Sequence, residues 1–147
     1  MSWIGKIMSG MVGRRPPEMQ VAAVCLRQHN GEKQVLLITS RGTGRWVIPK
    51  GWPMRGRSLS GAAEQESWEE AGVKGKITTK ACGTYTYDKV LESGLAIPVE
   101  VKVFKLDVKA VHDDFPEAQE RTREWFAPKH AAEKVDEPGL QKLIRSL

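Results

Sequence analysis

The sequence predicts an α/β fold, on three observations. Segments that alternate apolar and polar residues, as half-buried strands do, flank one central stretch with helical character, Leu59 to Ala71. Turn chemistry separates these segments: Asn30-Gly31 early, Pro49 and Pro53 before the helix, Gly72 after it. The chain has 147 residues, enough to bury a core, and divides into a lead over 1–17 and one domain over 18–147.

In the lead, Trp3, Ile4, Ile7, Met8, Met11 and Val12 recur at helical spacing beside Lys6, Arg14 and Arg15. A short amphipathic helix lying on a membrane surface is one reading, and a packing arm is another. Gly5, Lys6, Ser9 and Gly10 interrupt the apolar positions, so neither a secretory nor a transmembrane segment is expected. Arg14-Arg15-Pro16-Pro17 then reads as a linker.

Residues 20–27 and 34–39 are predicted strands, joined as a hairpin through His29-Asn30-Gly31-Glu32. Residues 46–48 form a short β-prone run ended by Pro49, and 51–57 an irregular loop with two glycines beyond Pro49. Ser58 is a suitable N-cap for the helix, and Gly72 is placed to end it in a left-handed conformation. On that helix Trp68 lies two positions from Glu66 and from Glu70, so it is expected to point away from them into a core with Leu59, Ala62 and Ala63. Residues 76–87 and 97–106 alternate as strands, 123–126 form a third short one, and a helix from about Glu137 closes the chain.

Charge narrows the class of partner. The formal net charge is +5, which favours anionic ligands: nucleotides, inositol phosphates, RNA ends or an acidic membrane. Cys25 and Cys82 have no C-x2-C or Cys-His partner and are predicted to be buried free thiols in a reducing cytoplasm. His29, His112 and His130 sit in polar surroundings without metal-ligand spacing and are predicted at the surface.

The charges are segregated most sharply around the helix. From Arg41 to Arg57 the chain carries five basic residues and no acid; from Glu64 to Glu70 it carries four acids and no base. Spacings of three and four put Glu66, Glu69 and Glu70 on one helix face, where like charges repel. A loop rich in Arg, Lys and Gly suits phosphate oxygens, and a carboxylate cluster suits a hard divalent cation.

Gly51, Glu66, Glu69-Glu70 and Gly72-Val73 stand at the spacing of the Nudix box, G-x5-E-x7-R-E-U-x-E-E-x-G-U with U aliphatic, and the segment resembles a Nudix hydrolase. The box covers 23 residues; VLLITSR before it, RWVIPKG leading into it and REWF near the C-terminus extend the likeness. This wider pattern is similar to the diphosphoinositol polyphosphate phosphohydrolase branch. Arg57 stands where the family has its first Glu, Gln65 where it has Arg, and Ser67 where it has an aliphatic residue. The family's Arg helps to position the adjoining glutamate, so that task passes to Gln65 or to a neighbour.

The resemblance implies an α/β/α sandwich with a mixed β-sheet and hydrolysis of phosphoanhydride bonds in a small polyphosphorylated molecule. It implies Mg²⁺, with Mn²⁺ as the alternative, held by Glu66, Glu69 and Glu70 and a backbone carbonyl near Gly51. The general base is a helix glutamate or a glutamate in the loop before Trp125; there Glu120 is the first choice beside Glu117. Arg41, Arg45 and Lys50 lead as phosphate ligands, and Arg55 and Arg57 either join them or face water. Diphosphoinositol polyphosphates and dinucleoside polyphosphates lead as substrates, ahead of ADP-ribose or an RNA 5′ end, and nucleic acid ranks behind small molecules as a partner. Tyr85 and Tyr87 share a strand face, where they either stack a base or pack as ordinary strand residues. A catalytically weak module that binds nucleotides or RNA is the rival; the three retained glutamates argue against it.

Overall fold

In the computed structural model, residues 18–147 are described. The amphipathic reading of the lead falls outside them. Strands β1 (Glu18–His29) and β2 (Glu32–Thr39) form the expected hairpin, paired from Leu26 with Val35 to His29 with Glu32. Asn30 (φ 52°) and Gly31 (φ 80°) both take the left-handed conformation that a tight two-residue hairpin turn demands. β3 (Trp46–Val47) pairs with β2, and β4 (Lys50–Gly51) pairs with β1. The loop expected from Gly51 therefore begins one residue later, because Gly51 is drawn onto the sheet opposite Val21.

Helix α1 runs over Leu59–Ala71, as predicted, and both ends are capped. The Gly61 N–H donates to Ser58 Oγ at 3.0 Å, and Gly72 (φ 69°) stops the helix. A side chain at Gly72 would also overlap the Phe115 ring. β5 (Val73–Ile77), β6 (Gly83–Val90), β7 (Ala96–Val111) and β8 (Arg123–Phe126) follow, then α2 (Pro128–Lys134) and α3 (Pro138–Arg145).

The single strand expected over 76–87 is two strands, both antiparallel to the long β7. From Ile77, opposite Leu106, to Gly83, opposite Val103, this side takes six steps against three on β7. The surplus bulges out between two anchors, Thr78 N–H to Lys105 O at 2.9 Å and Cys82 N–H to Val103 O at 2.8 Å. Cys82 rides on this excursion and is exposed, contrary to the sequence expectation. Cys25 is buried as expected, and burial pushes its thiol up to about 12. All three histidines are exposed, as predicted.

The sheet runs β3-β2-β1-β7-β5, with β4 on β1, β6 on β7 and β8 on β2. β1 and β7 are parallel and the remaining pairs antiparallel, so the sheet is mixed. Alternation along the central strands divides the core in two. Val24, Leu37, Val101 and Val103 pack with Ala131, Val135, Leu140 and Ile144 under α2 and α3. Val21, Ala23, Leu36 and Leu106 pack with Ala62, Ala63 and Ala71 of α1 on the other face. The architecture is the expected α/β/α sandwich. Helix α2 was not anticipated, although Pro128 at its first turn is a standard start.

One position of α1 departs from its expected place. Trp68 is only half-buried, edge-on to His112 at 5.3 Å with Lys74 Nζ 4.5 Å over its ring. The buried position is Ser67, one residue earlier, whose hydroxyl donates to Ala63 O at 2.9 Å and so needs no outside partner. The small side chains of Ala63, Ser67 and Ala71 make the stripe that meets the sheet, which leaves Trp68 on the flank.

Candidate active site

Glu66 and Glu70 lie one turn apart on α1, beside the buried small-residue stripe. β4 runs directly against them: the Lys50 N–H donates to Glu70 Oε1 at 3.4 Å, and Gly51 is so close that a Cβ there would overlap the Glu66 carboxylate. Close approach, not a special φ, is what requires glycine at 51. The loop between β7 and β8 closes the other side, docked by the Glu117 N–H to Glu69 O at 3.0 Å.

These elements enclose a cavity of about 310 Å³ in which Glu66, Glu70 and Glu117 meet Arg41 and Lys50. Gln20, Trp52, Tyr87 and Lys89 form the rest of its wall with Gly51. The Tyr87 hydroxyl donates to Gln20 Oε1 at 2.7 Å, and burial pushes its pKa up; Tyr85, its neighbour on that face, is buried in the core. A cleft of about 320 Å³ between Leu26 and Ile77, at the other end of β1, contains one carboxylate, Asp107, already paired with Lys109 at 2.7 Å. Convergent acids and bases distinguish the Glu66 cavity, not its size.

Burial, with the charges of Glu70 and then Glu69 beside it, lifts the Glu66 carboxyl to about 8, and a hydrogen bond with Glu70 adds to the effect. Burial raises Glu70 as well, against the opposing pull of Arg121. Lys50 is lowered by burial, opposed by Glu70. Carboxylates held in this way are relieved by a proton or by a bound cation.

The other predicted site residues are distributed unevenly. Glu69 does not line the cavity; its Oε2 accepts from Gln65 Nε2 at 2.6 Å. Gln65 therefore holds Glu69, not the adjoining Glu66. Glu120 sits at the rim, exposed, in an ion pair with Arg41 at 3.1 Å. Arg45 is turned away, with Nη1 2.8 Å from the buried Glu137 Oε2, and Arg57 lines a separate hollow of about 480 Å³ with Gln65 and Trp68. Two of the three box positions that depart from the family pattern, Arg57 and Gln65, thus line one hollow on the outer flank of α1, while the third, Ser67, is buried against the sheet.

Sequence reasoning passed over Arg121, Gln20, Trp52 and Lys89. Trp52 carried a usable signal, a large aromatic directly after Gly51 in a Gly/Pro loop; it is 43% exposed. Arg121 carried none, being one charge among many between Glu117 and Glu124. Its Nε and Nη2 both lie 2.8 Å from Glu117 Oε1, Nη2 also lies 3.4 Å from Glu70 Oε2, and Nη1 donates to Thr39 O at 2.9 Å.

Among the described residues no trio of His, Cys, Asp or Glu is already gathered tightly enough to hold a metal ion. Protein donors occupy the candidates: Gln65 on Glu69, Arg121 on Glu70 and Glu117. The donor chemistry still fits a hard cation, since Glu66, Glu70 and Glu117 offer carboxylate oxygen and no soft ligand.

A mixed sheet between helices, with a glutamate-bearing helix and a glycine strand forming one cavity of convergent acids and bases, defines the class of domain. The chain belongs to the Nudix family: a model of the NUDIX domain matches residues 18–147. Diphosphoinositol polyphosphate phosphohydrolase 3-alpha of Mus musculus is 30% identical over 109 residues, 73% of this chain and 62% of that protein. The human 3-alpha protein is 31% identical over the same proportions. The matched region thus spans less than two thirds of these relatives. The fold is shared with the Ap4A hydrolase of C. elegans, with TM-score 0.62 and 22% identity over 88% of this chain and 95% of that one. It is shared too with the NUDIX domain of Shewanella oneidensis NrtR complexed with ADP ribose, with TM-score 0.64 and 15% identity over 99% and 98%. No helix among the described residues is long and apolar enough to cross a membrane.

Proposed function

We propose that this domain is a pyrophosphohydrolase that cleaves a phosphoanhydride bond in a small polyphosphorylated molecule, with Mg²⁺ as its cation and Mn²⁺ as a substitute. The observation that carries the reading is the meeting of Glu66, Glu70 and Glu117 with Arg41 and Lys50 in one cavity. Glu66 and Glu70 would hold the cation with the Gly51 backbone, and Glu69 would contribute charge from the adjacent turn. A bound divalent cation neutralises phosphate oxygens and acidifies water.

The protein's own groups supply the rest. Glu117 takes the base role in place of Glu120, because it lines the cavity while Glu120 is held at the rim by Arg41. As the water oxygen bonds to phosphorus, its proton passes to Glu117 and the bridging P–O bond breaks. The leaving phosphate departs as an anion held by Lys50 and Arg41. Arg41 lines the cavity and its pair with Glu120 is exposed, so a phosphate can displace that partner, whereas Arg45 is engaged by the buried Glu137. Trp52 and Tyr87 form an aromatic wall for the body of the substrate.

Substrates with several phosphates, diphosphoinositol polyphosphates or dinucleoside polyphosphates, fit the cations at the cavity and the mouse and human relatives. A hydrolysis panel with product identification tests this, covering diadenosine polyphosphates, diphosphoinositol polyphosphates, ADP-ribose and triphosphorylated RNA, with and without chelator. Metal-dependent turnover of a polyphosphate is expected. Undiminished turnover in excess EDTA would remove the cation from the mechanism, and binding without turnover of any compound would favour the weak-module reading.

A further inference from the structure

We infer that Arg121 is a positioning residue, which holds Glu70 and Glu117 in one working arrangement whether or not a cation is bound. The inference rests on the metal-site reading above. Among the described residues, Arg121 is the one cation within ion-pair distance of any of the three helix glutamates.

Its guanidinium joins three elements remote in sequence. Nη1 donates to the carbonyl of Thr39 at the end of β2 at 2.9 Å, Nη2 reaches Glu70 on α1 at 3.4 Å, and Nε and Nη2 both reach Glu117 of the loop at 2.8 Å. Every nitrogen of the fork is used. The side chain is 7% exposed, against 58% for Arg41, so Arg121 is buried behind the carboxylates while Arg41 stands at the solvent side. A lysine could not copy this, because a point charge cannot direct donors to three places along a plane.

Two roles are consistent with a cation between carboxylates, and they differ in consequence. A mere placeholder balances charge until a metal ion arrives and then lets go. A positioning group stays, and fixes the distance between the Glu70 and Glu117 carboxylates. The Thr39 anchor favours the second: Nη1 is held by a backbone carbonyl at a strand end, in a bond that involves neither carboxylate. The loop is also tied to the same residue of β2 by the Thr122 N–H to Thr39 Oγ1 at 2.8 Å. Charge balance without positioning would need none of this.

The test compares Mn²⁺ binding, by calorimetry and electron paramagnetic resonance, in the unmodified protein, Arg121→Lys and Arg121→Gln. Positioning predicts roughly 10- to 100-fold weaker binding in both variants, with kcat falling and KM for substrate little changed. A placeholder predicts the reverse for Arg121→Gln, since removing a neighbouring positive charge tightens cation binding; equal or tighter binding overturns the inference. Should the variants fail to fold, the unmodified protein decides. Its Arg121 Nε–H resonance is expected to stay protected from solvent exchange at saturating Mg²⁺, and rapid exchange on adding Mg²⁺ overturns the inference. Failure of the unmodified protein to bind Mn²⁺ at all would overturn the metal-site reading instead, a separate result.

Discussion

Gly51 and Glu66 are in such close contact that one methyl group on Gly51 would occupy the space of the Glu66 carboxylate. The strand and the helix each fold for their own reasons, and this contact is where they make a site. Gly51→Ala is therefore expected to cut turnover at least about 10-fold by dislodging that carboxylate. Stability should change little, because the displaced group is the far end of a flexible side chain. Paired kinetics and melting curves check it; full activity with the alanine would show that Glu66 need not sit against β4.

The pH dependence of stability has a definite sign. Glu66 titrates at about 8 in the fold against an ordinary 4.5, so ionising it penalises the folded state. Its favourable contribution is complete below about 4.5 and is lost as pH climbs through about 8. Without divalent cations the protein should lose melting temperature between pH 5 and 9, while Glu66→Gln flattens that slope and saturating Mg²⁺ removes it. A slope unchanged by the substitution would place the responsible group elsewhere.

Glu117 and Glu120 differ by three residues and, on this geometry, by a large factor in importance. Glu117→Gln is expected to lower kcat by about 100-fold or more, in the range of a lost general base. Glu120→Gln, which releases an exposed ion pair with Arg41, should stay within about threefold. The reverse ranking would restore Glu120 to the base role.

The two loop arginines should separate by phenotype. Arg41→Ala is expected to raise KM for a long polyphosphate more than for a short diphosphate, with melting temperature held. Arg45→Ala leaves Glu137 buried without its partner, and Glu137 Oε1 already has none; a loss of roughly 3 kcal/mol is expected, in the range for a broken buried pair. Urea titrations and substrate-length series on both proteins distinguish the two. Equal stability losses would mean that Arg45 is not a structural ion-pair partner.

Local order determines what was legible in the chain itself. Alternation, the Asn30-Gly31 turn, Ser58 and Gly72 act within a few residues, and the hairpin, α1 and its caps stand where those signals put them. The spacing of Gly51, Glu66, Glu69, Glu70 and Gly72 is likewise local, and it marked the family and the acidic helix. The split of residues 76–87 was not local: it depends on how many residues β7 places opposite them. Trp68 missed the core expected for it because the sheet, not the helix period alone, decides which stripe is buried, and that stripe runs through Ala63, Ser67 and Ala71.

The sorting of the charges belonged wholly to tertiary structure. Arg41, Arg45 and Arg57 are alike in sequence, yet one faces the cavity, one is held by Glu137 and one lies on the outer flank of α1. Glu117 and Arg121 enter the site from a loop more than forty residues beyond α1, placed there by backbone contacts to Glu69 and Thr39. Composition determines how many charges a chain has to offer phosphate and metal. Only the packing of distant segments determines which of them lose water, meet an opposite charge and so acquire a role, because desolvation and Coulomb attraction act through space and not along the chain.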